Sequence, residues 1–139
     1  MKVSEENIRV IVEELRYVAD KMVGEEDILG KVYYLSGSYA VIHRVMNLEY
    51  DDELVLIHRI LMSAYETLSS RVNSIITGQE RVIKIPVEAV DALANSIRSL
   101  ATVLSEKKEY KEILAKVAAI GYIGTGNGYY LYKKGILKL

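Results

Sequence analysis

The stretch from Asp51 to Gly78 places the strongest constraint on how this chain can fold. Asp51 stands at the N-cap position, and Gly78 can take the left-handed conformation that ends a helix. Between them, apolar residues recur at alternating steps of three and four, which keeps them on one side of a helix with about 3.6 residues per turn. They are Leu54, Ile57, Leu61, Ala64, Leu68, Val72 and Ile75. The rest of the chain must cover this side, so the sequence predicts a helical bundle.

Five further segments show the same helical spacing of apolar residues. They cover residues 4–23, 25–36, 39–47 and 86–104, with a last helix running from a break near Ser105 to about Ile120. Ser36-Gly37-Ser38 predicts a break between the second and third helices, because it can end one helix and cap the next. The bundle is therefore expected to have five or six helices.

Two segments differ from the helical pattern. Residues 81–85 are short and β-branched and predict an edge strand. Residues 121–128 contain four glycines and the dipeptide Asn127-Gly128, which suits a type I′ turn better than a nucleotide-binding loop. The sequence thus predicts a mainly α protein with a minor β-hairpin or small sheet near residues 81–85 and 122–139. Residues 1–139 form one domain: a helical bundle over 4–120, a β insertion at 80–85 and a C-terminal β-hairpin at 121–139.

Composition narrows the class of protein. A chain of 139 residues without cysteine fits one domain with no disulfide and no thiolate metal site. It lacks an apolar signal segment and any apolar run long enough to span a bilayer, so we expect a soluble, cytoplasmic protein with no membrane partner. Eleven tyrosines stand against no phenylalanine or tryptophan, and this bias, with abundant charged residues, is compatible with a hyperthermophilic source.

The charge is unevenly distributed along the chain. The net charge is −1, yet residues 1–30 hold four basic and eight acidic groups, a balance of −4. From Lys107 onward seven lysines stand against two glutamates, a balance of +5. This gradient is compatible with end-to-end packing of copies, with a surface turned to phosphate, or with a solvated tail.

No motif in the sequence indicates catalysis. His43 and His58 are the only histidines, and neither stands in a pattern that supplies a nucleophile and an orienting partner. His58 lies at the border of the apolar stripe, where a partly packed structural histidine is the simpler interpretation. The near-repeat of Ile-His-Arg at residues 42–44 and 57–59 is interpreted as chance. We therefore expect no enzyme, no cofactor, no metal and no small-molecule substrate.

Two groups of cations are candidates for contact with a nucleic acid. In the tyrosine-rich segment, aromatic faces that could stack on bases are interleaved with cations that could neutralise phosphates; the cluster is Tyr129, Tyr130, Tyr132, Lys133 and Lys134. Lys107, Lys108 and Lys111 are predicted to start the last helix, where positive charge opposes the dipole and favours an external anion. Arg59, Arg71 and Arg98 complete the surface cations available for backbone binding.

The segment from Gly37 to Asn47 resembles a stretch of the small subunit of the archaeal type I-A CRISPR surveillance complex, Cascade. In that family a Gly-Ser-Tyr turn opens an apolar helix carrying a basic residue, which corresponds here to Arg44. Chain length and a helical bundle with a minor β part are also similar. His43 stands where an acidic residue is expected, and the glycine-tyrosine tail has no counterpart in the family.

The resemblance implies a non-enzymatic subunit for antiviral defence. Several copies would line the complex beside its other subunits and guide RNA, and would hold the opened target DNA through backbone contacts without sequence specificity. The alternative is a self-assembling helical coat or scaffold protein of a hyperthermophilic archaeal virus. A third hypothesis is a small enzyme or sensor that uses His43 and His58.

Overall fold

The computed structural model describes residues 1–76 and 85–139, with the side chains of 73–76 excepted. Six helices occur in these ranges, and they are α1 (Glu5–Gly24), α2 (Ile28–Leu48), α3 (Asp52–Ile76), α4 (Val87–Ser105), α5 (Lys111–Tyr122) and α6 (Gly126–Lys133). The described residues contain no strand. The predicted helical bundle is confirmed, and the fold is mainly α.

The bundle is held by one apolar core. Helix α1 packs against α2 and α4, while α3 packs against α2 and α5, and α4 also contacts α5. The predicted stripe of α3 is buried wherever its side chains are described, with exposures of 2% or less at Leu54, Ile57, Leu61, Ala64, Leu68 and Val72. Removing this apolar surface from water is the main term that stabilises the helices as a bundle.

The predicted helix starts at Ser4 and Asp51 are confirmed by their hydrogen bonds. The Asn7 N–H donates to Ser4 Oγ at 3.3 Å, and the Glu53 N–H donates to Asp51 Oδ1 at 2.8 Å. Each side chain satisfies a backbone donor that has no partner inside the helix. The predicted end at Gly78 and the predicted strand at 80–85, apart from Ile85, lie outside the described residues.

The predicted break at Ser36-Gly37-Ser38 is wrong, because α2 is continuous. Ser36 and Ser38 donate their hydroxyls to carbonyls one turn earlier, both at 2.7 Å, so neither leaves the helix to find a partner. A Cβ at Gly37 would lie 2.9 Å from Cγ2 of Val18. This glycine therefore allows α2 to approach α1 closely.

The predicted C-terminal hairpin at 121–139 is also wrong, because residues 126–133 form α6. Thr125 caps this helix, with its Oγ1 accepting from the Gly128 N–H at 2.9 Å. A Cβ at Gly128 would lie 1.8 Å from the carbonyl oxygen of Tyr122, the last residue of α5. The glycine in Asn127-Gly128 is thus required by the packing of α6 on the end of α5, and a type I′ turn is absent.

Candidate nucleic-acid interface

The structure divides the nine predicted cations into two groups according to their partners. Four are held by groups of the same chain: Arg98 by Asp20 (2.8 Å), Lys107 by Glu5 (2.8 Å), Lys108 by Glu106 (2.9 Å), and Arg71 through Nε by the carbonyl of Gly124 (3.1 Å). The pairs of Lys107 and Lys108 are exposed, so they contribute little to stability. They do place a carboxylate beside each ammonium group, which weakens the attraction for an external phosphate.

The turn between α4 and α5 corrects the predicted position of two lysines. Lys107 and Lys108 lie at the C-terminal end of α4, before α5 begins at Lys111. Their N–H groups donate to the carbonyls of Leu104 (3.3 Å) and Val103 (2.8 Å), the pattern that closes a helix C-terminus. Positive charge at these two positions agrees with the helix dipole, so only Lys111, the first residue of α5, stands at the helix start that was expected for all three lysines.

Arg44, Arg59, Lys111, Lys133 and Lys134 form the second group. All five are exposed, and none has an ion pair within residues 1–76 and 85–139. The fold distributes these side chains over four helices. Arg44 lies on α2, two turns after Gly37, while Arg59 lies on α3.

Helix α6 brings the last two lysines of this group onto tyrosine rings. Lys133 Nζ lies 5.9 Å from the centroid of the Tyr129 ring, and Lys134 Nζ lies 5.3 Å from that of Tyr130. The spacing of four residues makes these contacts possible on a helix, where a strand would have separated each pair. The two adjacent pairs form a cationic and aromatic surface, with 57% of Tyr130 exposed.

A third tyrosine fixes α6 to the bundle. The Tyr132 hydroxyl donates to Glu88 Oε1 of α4 at 3.0 Å, and burial, followed by this hydrogen bond, raises the tyrosine pKa. Tyr129 and Tyr132 also pack against the core. The surface formed by Tyr129, Tyr130, Lys133 and Lys134, here called the α6 surface, therefore lies on a helix that is fixed to the bundle. Tyr130 and both lysines are exposed to solvent.

Four rings form a row across α2 and α3 that the sequence interpretation missed. The centroids of consecutive rings are 5.4 Å apart from Tyr65 to Tyr39, 5.8 Å from Tyr39 to His58, and 5.4 Å from His58 to His43. Burial lowers the pKa of His58, with smaller contributions from His43 and Arg59. The near-repeat of Ile-His-Arg puts each histidine next to apolar residues, but it does not indicate that the two rings meet.

The carboxylates of Glu49, Asp51 and Glu53 are occupied by the first residues of the chain. The N–H groups of Ser4 and Lys2 donate to Glu49 and Asp51 at 3.0 Å, and the Met1 amino group lies 2.5 Å from Glu53. These bonds come first among the causes that lower the three carboxyl pKa values. The Tyr110 hydroxyl also donates to Glu53. The three carboxylates therefore have a structural role, which is to hold the first residues of the chain against the bundle.

A groove of about 1080 Å³ lies between α1 and the α4–α5 turn. Val12, Leu104 and Tyr110 are among the buried residues at its walls. Charges of both signs surround it, namely Glu5, Glu6, Arg9, Glu13, Arg16, Lys107 and Lys108. This mixture selects neither an anion nor a cation.

Comparison with known proteins gives no relative. No protein-family model, curated protein or solved structure matches this chain. Across the part of the chain that the structure describes, no helix is both long and apolar enough to cross a bilayer.

Proposed function

We propose that this chain is a non-enzymatic subunit that binds the phosphate backbone of nucleic acid within a larger assembly, with α6 as the contact surface. The observation that carries the proposal is the pairing of Tyr129 with Lys133 and of Tyr130 with Lys134. Each lysine contacts an aromatic ring and has no carboxylate partner among the described residues. The ammonium groups remain available to phosphate.

The charge around α6 supports this choice over the other cations. Residues 113–139 contain four lysines and no aspartate or glutamate, so this part of the chain contributes +4. Glu88, which contacts α6, is engaged by the Tyr132 hydroxyl. Backbone binding needs only such cations, and an exposed ring such as Tyr130 adds a stacking surface for an unpaired base.

The assembly that we propose is a CRISPR RNA-guided effector complex, in which this chain is the small subunit and contacts the opened target DNA. The resemblance of residues 37–47 supports this proposal, and Arg44, the cation of that segment, is exposed. Base pairing with the guide RNA would then select the target, and this chain would contribute charge and shape. The segment lies inside α2 instead of at a helix-opening turn, so the resemblance now rests on its sequence alone.

A self-assembling coat or scaffold protein of a hyperthermophilic archaeal virus is the second candidate. The observation that favours it is the exposure of large apolar side chains where α2 passes into α3, with Leu48 at 71% and Tyr50 at 70%. Exposed apolar groups that lie close together are typical of surfaces that meet another protein. In a coat, copies of this chain would cover these groups.

Affinity purification of the tagged full chain from its native host tests the assembly. Copurification of a guide RNA with larger protein subunits supports the effector complex. A particle that contains only copies of this chain supports the coat protein and contradicts the effector complex. Replacing Leu48 and Tyr50 with serine provides a matched variant, since it should disperse a homopolymer through these side chains and leave binding through α6 intact.

A further inference from the structure

His43 and His58 are 15 residues apart in sequence, and the packing of α2 on α3 brings their rings together. The ring centroids are 5.4 Å apart, with an angle of 80° between the ring planes. Two imidazoles that ligate one tetrahedral metal through bonds of about 2.0–2.1 Å have centroids roughly 5 Å apart. The backbone therefore already holds the two side chains at a spacing that one metal ion can bridge.

The two rings differ in how freely they can move. His58 is half-buried, and its ring contacts Tyr39 and His43 of α2. His43 is exposed, and its ring can turn about its side-chain bonds to direct a nitrogen at an ion shared with His58. The contact with Tyr39, at 5.8 Å between ring centroids, limits the movement of His58.

We propose that His43 and His58 form a binding site for one divalent transition-metal ion of the class that imidazole prefers, such as Zn²⁺ or Ni²⁺. The ion joins α2 to α3. Across residues 1–76 and 85–139 no group of three or more His, Cys, Asp or Glu could hold a metal. Water or an external ligand therefore completes the coordination, and the site remains open. This site is independent of the α6 surface.

Calorimetric titration of the full chain with Zn²⁺, and separately with Ni²⁺, tests the site. We expect one ion per chain, because these are the only histidines. His43→Gln and His58→Gln should each weaken binding by about tenfold or more, since the second ligand acts at high effective concentration once the first has bound. Glu66→Gln, a carboxylate change elsewhere on α3, is the control and should leave the affinity unchanged.

A second measurement covers the case in which a variant folds poorly. Saturating Zn²⁺ should raise the melting temperature of the unmodified chain by on the order of 5 °C, because only the folded state holds both imidazoles together. Unchanged affinity after either single replacement would show independent histidines and overturn the site. Metal-dependent dimers in sedimentation would also overturn it, by assigning the two ligands to different copies.

Discussion

Gly128 of α6 lies directly against the backbone carbonyl of Tyr122, where a Cβ would be 1.8 Å from the oxygen. The contact leaves no room for any side chain and fixes how α6 leaves α5. We predict that Gly128→Ala displaces α6 and lowers the free energy of unfolding by about 1–3 kcal/mol, as other overpacked sites do. Chemical denaturation of this variant checks the value. Gly24→Ala, at a position where a Cβ would have no neighbour within 4 Å, is the control.

The crossing of α5 over α3 depends on a second glycine. A Cβ at Gly121 would lie 2.9 Å from both Cα and Cβ of Ala64, and the backbone atom cannot move aside like the end of a long side chain. Gly121→Ala should therefore destabilise the bundle by about 1–3 kcal/mol. A Cβ at Gly24 would have no neighbour within 4 Å, so Gly24→Ala should leave the stability unchanged or raise it slightly. Equal melting temperatures for the two variants would contradict the close crossing.

Lys107 has a φ of +58°, the left-handed conformation in which glycine is usual. Lys107→Gly and Lys107→Ala both remove the ion pair with Glu5. The difference between their free energies of unfolding therefore reports the cost of the backbone conformation alone. We expect the glycine variant to be more stable than the alanine variant by about 1 kcal/mol. Urea denaturation of the pair measures the difference. A more stable alanine variant would refute the left-handed turn.

His58 should make stability depend on pH below neutrality. Its pKa in the folded chain lies below the reference value of 6.5, so the unfolded chain binds more protons between these two values. The contribution of His58 is therefore complete above pH 6.5 and is lost as the pH falls towards the folded pKa. Unfolding free energies of the unmodified chain and of His58→Gln should converge as the pH falls from 7 to 5. A constant difference over this range would exclude a depressed pKa.

The sequence predicted the bundle well because burial there depends on local periodicity. The apolar stripe of α3 and the caps at Ser4 and Asp51 follow from neighbouring residues alone. The prediction from the sequence was wrong at Gly37 and Gly128. At both positions the glycine was interpreted as a turn signal, whereas its role is to allow close contact with another helix.

The candidate site was predictable only in part. The lysines of α6 stood out by composition, but their placement over tyrosine rings required a helix in place of the predicted hairpin. The sequence does not show which cations form ion pairs, because partners such as Glu5 and Lys107 are 102 residues apart. The meeting of His43 with His58 likewise depends on the relative register of α2 and α3.

Binding of single-stranded DNA by charge-reversed variants tests the nucleic-acid interface most directly. Fluorescence anisotropy at low salt should show that Lys133→Glu with Lys134→Glu weakens binding by tenfold or more, on the order of magnitude expected for two phosphate contacts, and reduces the salt slope by about two. Lys107→Glu with Lys108→Glu changes the net charge equally at lysines already paired with carboxylates, and should weaken binding far less. Equal losses in the two variants, or unchanged affinity in the α6 variant, would contradict α6 as the contact surface.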